Sequence, residues 1–166
     1  LEMNISCPNV KKGGVEFGTI PEVAADLVRQ CKRVTDLPLW IKLTPNITDI
    51  TVPAKAAIAA GTDALSMINT LRGVAIDIRA KQPYFANVAA GLSGPAVKPV
   101  GLCMVWDCFA KIPECRSGQV PIIGIGGIST WEDCVEYILA GASAVGWSLP
   151  TARGPDGRFA PSNWTS

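Results

Sequence analysis

The sequence predicts an α/β fold, a partial (β/α)8 TIM barrel made of roughly five strand–helix units. Three observations predict it. Five short apolar runs alternate with helix-like segments along the chain. Most of these runs are continuously hydrophobic rather than alternating, the pattern of parallel strands covered on both faces. Polar residues gather at the ends of the runs, in an order that favours part of a barrel over a doubly wound sheet.

Residues 1–6 form the first apolar run, followed by a glycine-rich loop over 13–18. A helix is expected over 21–34, because Pro21 suits a first turn and Val23, Ala24, Leu27, Val28 and Cys31 recur at helical spacing. The next strand, 39–44, ends in Thr44-Pro45-Asn46. An alanine-rich helix over 53–60 is stopped by Gly61. A third strand over 64–68 ends in Asn69-Thr70. Residues 71–94 break the pattern and read as a loop excursion, with a hairpin expected between 74–78 and 84–87. A helix over 95–112, a polar insert at 114–118 and a strand at 120–125 follow. That strand turns through Gly126-Gly127 into a helix over 130–139, and 142–146 is the last strand. The segment 147–166 carries Gly, Pro, Arg and Ser without periodicity and is expected to stay out of the core.

Composition narrows the function. The chain of 166 residues is 48% hydrophobic and 17% charged, enough apolar content for a real core. Fifteen basic and fourteen acidic side chains leave a net charge of +1, with no basic run, so neither nucleic acid nor an anionic membrane is an expected partner. No apolar stretch reaches the ~20 residues that span a bilayer. The six cysteines form no Cys-x-x-Cys pair and no metal-ligand spacing, so no metal is expected and the cytoplasm is the default location. Cys31 and Cys134 fall in helix-like segments and read as small buried apolar groups. The absence of histidine excludes a Ser–His or Cys–His pair in this segment and leaves acid–base work to Cys, Lys, Asp or Glu.

In a β/α barrel, side chains at the C-terminal strand ends converge on one face. Here those ends carry Asn4, Cys7 and Asn9, then Lys42, then Asn69 and Thr70, then Gly126 and Gly127. Cys7 sits at a strand tip because proline at position 8 disfavours helix at the residue before it. By itself it reads as a buried structural thiol or as a general base whose ordinary pKa, near 8.5, needs help. Lys42 interrupts an apolar strand, which is costly unless an anion meets it; that anion is either a ligand or a carboxylate within the barrel. Gly126-Gly127 permits close backbone approach to a phosphate at the following helix, although tight turns use such pairs for other reasons.

Taken together, these segments resemble the class 1 dihydroorotate dehydrogenases, FMN-dependent (β/α)8 barrels of pyrimidine biosynthesis. The matching pieces are Asn4-Ile5-Ser6-Cys7-Pro8-Asn9, Ile41-Lys42-Leu43-Thr44-Pro45-Asn46, Ile68-Asn69-Thr70, Gly91-Leu92-Ser93-Gly94-Pro95-Ala96 and Ile123-Gly124-Ile125-Gly126-Gly127-Ile128. Val10-Lys11-Lys12-Gly13-Gly14 and residues 69–94 look most like the 1B subclass, which reduces NAD through a partner subunit. The resemblance implies that Cys7 removes a proton from C5 of dihydroorotate as hydride leaves C6 for flavin N5. It implies that Asn4, Asn9, Asn69 and Thr70 hold the substrate, with Asn4 also reaching the flavin. Lys42 is implied to stabilise negative charge on reduced FMN, Ile68 and Gly94 to border the flavin, and Gly126 and Gly127 to meet its phosphate. It further implies an FAD and iron–sulfur electron-transfer subunit and a homo-oligomer of the full-length protein.

The resemblance covers residues 1–146, read as a partial FMN-binding barrel that lacks the family's first three strands. Ala90 stands where a second glycine is common. Val145-Gly146 runs into Trp147-Ser148-Leu149-Pro150 where the family has a Gly-Thr or Gly-Ser step, so 147–166 is read as a truncated or frameshifted tail. Two rival readings stand beside this one. A dihydropyrimidine dehydrogenase-type barrel that reduces uracil or thymine fits residues 42–49, but usually has histidine where Asn9 stands. An inactive fragment is the other.

Overall fold

The computed structural model describes residues 1–6 and 18–147. Five parallel strands make the main sheet: β1 (Glu2–Asn4), β2 (Trp40–Lys42), β3 (Ala64–Met67), β8 (Ile122–Ile125) and β9 (Ala144–Gly146), in that spatial order. Between β3 and β8 the chain makes an arm of four short strands: β4 (Leu71–Val74), β5 (Ile76–Asp77), β6 (Gln82–Pro83) and β7 (Ala89–Leu92). Helices α1 (Pro21–Lys32), α2 (Thr51–Ala59), α3 (Lys98–Lys111) and α5 (Trp131–Leu139) alternate with the sheet strands. α4 (Pro113–Arg116) is a single turn where a polar insert was expected. The result is a mixed α/β fold on a parallel sheet, the partial barrel that the sequence predicts.

Each helix carries its own start and stop signals. α1 has Pro21 in its first turn with Glu22, and Arg29 and Lys32 in its last, charges placed to suit the helix dipole. α5 begins in a reciprocal capping box between Thr130 and Asp133. α2 ends at Gly61 (φ +98°), where Thr62 N donates to Ala57 O and Gly61 N to Ile58 O. α5 ends the same way at Gly141, with Ala142 N on Tyr137 O and Gly141 N on Ile138 O. Both pairs satisfy the last helical carbonyls in a Schellman closure, and only glycine adopts that φ cheaply.

Strand alternation sorts the side chains into two layers. Ile41, Leu43, Leu65, Met67 and Ile122 are buried in one core with Ala24 and Val28 of α1, Ala54 and Ala57 of α2, and Val105 and Cys108 of α3. The opposite face carries one aligned row across all five strands: Asn4, Lys42, Ser66, Ile123 and Ala144. Three of those five residues are polar, so the row is built for something other than core packing.

Two expectations are corrected. The hairpin pairs 71–74 with 89–92 and 76–77 with 82–83, not 74–78 with 84–87. In the longer pairing Gly91 stands opposite Arg72 and lies against Thr70, so close that a Cβ there would overlap the threonine hydroxyl. The deeply buried thiols are Cys108 and Cys115, whereas Cys31 and Cys134 are only half-buried. Burial pushes Cys115 up to about 11 and Cys108 higher still, so neither is a thiolate near neutrality.

Candidate active site

At the C-terminal end of β1, Asn4 turns its side-chain oxygen onto three donors. These are Ser6 N at 3.1 Å, Ser6 Oγ at 2.9 Å and Asn69 Nδ2 at 3.1 Å. Asn69 Nδ2 also donates to Ser6 Oγ at 2.8 Å. The backbone holds Asn69 in place: its N–H donates to Leu43 O at 3.0 Å, extending the β2–β3 ladder by one step. Its side-chain oxygen accepts from Thr70 N at 2.8 Å. Asn4, Ser6, Asn69 and Thr70 therefore form one amide–hydroxyl cluster over the ends of β1 and β3.

Lys42 lies beside Asn4 in the register of β1 and β2. Its ammonium faces Glu2 Oε1 at 3.5 Å, and Glu2 Oε2 accepts the Ser66 hydroxyl at 2.8 Å. The anion required by a lysine in this strand is thus, within the described residues, an internal carboxylate. Lys42 keeps about a fifth of its side chain exposed (21%), so it remains open to a ligand at the strand ends.

The second half of the site is made of glycines. Gly126 (φ +124°) and Gly127 (φ +71°) follow β8 directly. Ile68 packs at the first of them: a Cβ on Gly126 would lie 3.3 Å from Ile68 Cγ1 and 3.6 Å from Val97 Cγ2. Ile68 N donates to Ile125 O, which fixes this edge of β3 against β8. Gly94 (φ +85°) opens the helical turn Pro95–Val97, and nothing lies within 4 Å of where its Cβ would project. The two loops meet where Gly126 packs against Val97 and Gly127 against Lys98, and their glycines leave backbone amides uncovered by side chains of their own, the kind of surface that accepts a phosphate-bearing ligand.

The structure therefore brings Asn4, Lys42, Asn69 and Thr70 together at one sheet end, with Ile68, Gly94, Gly126 and Gly127 beside them. Cys7 and Asn9 lie outside the described residues, as do 148–166. Glu2, Ser6 and Ser66 escaped the sequence reading. Glu2 is two residues from Asn4 and shares its strand face, but its partner Lys42 stands forty positions away on the neighbouring strand. Asn46 was missed as well: its Nδ2 donates to Thr70 O at 3.0 Å and its oxygen accepts Arg72 N at 2.8 Å, tying the loop after β2 to the arm. Among the described residues no group of three or more His, Cys, Asp or Glu could hold a metal ion. Nor is any described helix long and apolar enough to cross a membrane.

Beneath the glycine turn lies a network with no counterpart in the sequence reading. Lys98 Nζ meets Asp133 Oδ1 at 2.6 Å and Glu136 Oε2 at 2.9 Å. Asp133 Oδ2 accepts Ser129 N at 2.7 Å and Thr130 N at 2.9 Å. The Lys98 contact first, then those two amides, hold the Asp133 carboxyl far below the usual range. Tyr137 Oη donates to Gly126 O at 2.8 Å, and burial pushes that phenol up to about 12.

Comparison with known proteins puts a family beside this geometry. A family model described as dihydroorotate dehydrogenase matches residues 1–157. A protein of Pelobacter propionicus named dihydroorotate dehydrogenase B (NAD(+)), catalytic subunit, is 57% identical over 145 residues, which cover 87% of this chain and 46% of that one. Its namesake in Anoxybacillus flavithermus is 52% identical over the same length and is 45% covered. The crystal structure of an Eimeria tenella DHODH in complex with ferulenol superposes with a TM-score of 0.69 at 26% identity, covering 89% of this chain and 43% of that chain. The chain thus spans under half the length of the curated relatives it matches.

Proposed function

The chain belongs to the dihydroorotate dehydrogenase family, and from that premise we propose that the full-length protein oxidises dihydroorotate to orotate in pyrimidine biosynthesis, with FMN as cofactor. The observation that carries the reading is the convergence of the Asn4–Ser6–Asn69 cluster on Lys42 at one sheet end. A flat, amide-rich ring with a carboxylate needs that inventory: side-chain amides to donate and accept in one plane, and a cation nearby.

The residues present fit FMN. Gly126 and Gly127 offer backbone amides to a phosphate, Gly94 leaves open space beside them, and Ile68 offers an apolar edge. When bound, FMN supplies the two-electron acceptor. Lys42 would favour negative charge developing at the sheet end, because a fixed cation in a dry site needs no reorganisation. Asn4, Asn69 and Thr70, with Asn9, would hold the substrate's ring amides and carboxylate. Cys7 would take the proton from C5 as the C5–C6 double bond forms.

Relatives named as catalytic subunits imply a partner subunit. We place the electron outlet there, in a subunit carrying FAD and an iron–sulfur centre, with the catalytic chain itself homo-oligomeric. The test is an assay of the full-length protein with dihydroorotate against uracil plus NADPH. Orotate formation supports the reading. Uracil reduction without dihydroorotate turnover overturns it in favour of a dihydropyrimidine dehydrogenase-type barrel.

A further inference from the structure

We propose that the Lys98–Asp133 ion pair is the positioning element of the Gly126–Gly127 turn, fixing the attitude in which its amides receive the cofactor's phosphate. The inference rests on the functional reading above and adds to it residues that do not themselves touch the ligand.

The pair joins three pieces of chain: the exit of the glycine turn, the start of α3 and the first turn of α5. One Asp133 oxygen takes the amides of Ser129 and Thr130, the residues between the turn and α5. The other takes Lys98 Nζ, the first residue of α3. The turn itself lies on the backbone of Lys98: a Cβ at Gly127 would stand 2.7 Å from both Lys98 N and Lys98 Cβ. Lys98 is thus the floor under Gly127, and Asp133 is the strap that holds floor and exit together.

The orientation of the turn follows from a third contact. Tyr137 Oη pulls the Gly126 carbonyl toward the helix layer. In a trans peptide the carbonyl and the next N–H point oppositely, so the Gly127 N–H faces away from that layer. The tyrosine fits there because Gly101 and Gly124 leave room for its ring; a Cβ at either would overlap it.

A lysine this near the glycine turn could instead be a direct ligand. Its surroundings argue otherwise. Two carboxylates already engage the ammonium, at 2.6 and 2.9 Å, so its charge is neutralised before any anion arrives. A residue in that arrangement sets geometry rather than contributing charge to the ligand.

The experiment is a pair of titrations on the full-length apoprotein, with FMN and with riboflavin, which lacks the phosphate. Lys98→Met and Asp133→Asn should each weaken FMN by about tenfold while leaving riboflavin within about twofold. Lys98→Arg should keep most of the FMN affinity. Equal losses for both flavins would mean general damage and would sink the proposal, as would no loss. Tighter FMN binding by Asp133→Asn would make a freed Lys98 a direct ligand, and would overturn it too. Asp133→Asn is nearly isosteric and gives the same reading if the methionine variant fails to fold. If the unsubstituted protein binds neither flavin, the functional reading itself falls and this inference with it. If both flavins bind and the variants fail to discriminate them, only this inference falls.

Discussion

Glu2 and Lys42 stand on neighbouring strands with the carboxylate stepped one row below the ammonium, 3.5 Å away, while the other carboxylate oxygen accepts the Ser66 hydroxyl at 2.8 Å. The three side chains belong to β1, β2 and β3, so this contact aims Lys42 across the sheet end. If Lys42 stabilises charge on a reduced flavin, Lys42→Ala should lower the two-electron midpoint potential by about 30 mV or more, the shift that corresponds to a tenfold change in equilibrium. Glu2→Gln removes the opposing charge and should move the potential upward by less. Spectroelectrochemistry on the FMN-loaded protein checks both signs. Unchanged potentials in both variants would dismiss the electrostatic role of Lys42.

Asn69 should be intolerant of a change in donor character. Its NH2 group serves Asn4 Oδ1 and Ser6 Oγ together. Asn69→Asp would set a carboxylate oxygen against the Asn4 oxygen, and mispairing of this kind costs ~1–3 kcal/mol. Orotate affinity, followed through its perturbation of the flavin spectrum, should fall by about tenfold or more. FMN affinity should change little, because the glycine loops are untouched.

Gly91→Ala tests the arm. A Cβ there would overlap the Thr70 side chain, its Cβ only 2.8 Å away. Thr70 would have to shift, and with it a contact proposed for the substrate. The expected signature is a KM for dihydroorotate raised about tenfold, with kcat changed less, as for loss of ground-state binding. A fall in kcat at constant KM would place the damage elsewhere.

Much of this could be read from residues in order, because strands, caps and glycine stops are local features. Gly61 stops α2, Pro21 opens α1 and Lys42 announces an anion, each from its near neighbours alone. The identity of that anion was not legible: Glu2 is forty positions away and becomes adjacent only when β1 and β2 pair. The Lys98–Asp133 pair is non-local in the same sense, joining the starts of two helices separated by β8. The arm's register includes a close approach of Gly91 to Thr70 and the hold of Asn46 on Thr70 and Arg72, contacts that sequence patterning does not encode.

Asp133 makes stability depend on acid. Its folded pKa lies far below the unfolded value because Lys98 and two amides favour the carboxylate. A depressed carboxyl stabilises the fold above its unfolded pKa, about 3.9, and that contribution disappears as pH falls toward the folded value. The thermal midpoint should therefore drop below about pH 4, and Asp133→Asn should flatten that limb of the curve. Scanning calorimetry of both forms between neutral and acid pH decides it; parallel curves would show that another carboxyl controls the acid transition.

Cys7 carries the sharpest chemical claim. With no histidine in the chain, a thiol is the base that the family resemblance provides. A thiol serves as a base only as its thiolate, so the rate of the reductive half-reaction should rise toward alkaline pH and level off as the thiolate fills. Cys7→Ser keeps the size and removes the accessible anion. It should slow flavin reduction by dihydroorotate by roughly 10²–10⁴, the usual worth of a placed base, and abolish that alkaline rise. FMN content should stay at the unsubstituted level, since the role proposed for Cys7 is at the substrate and not at the flavin. Stopped-flow reduction across pH separates the two roles. A serine variant with the same rate and the same pH profile would return Cys7 to a structural part and assign the proton to another group.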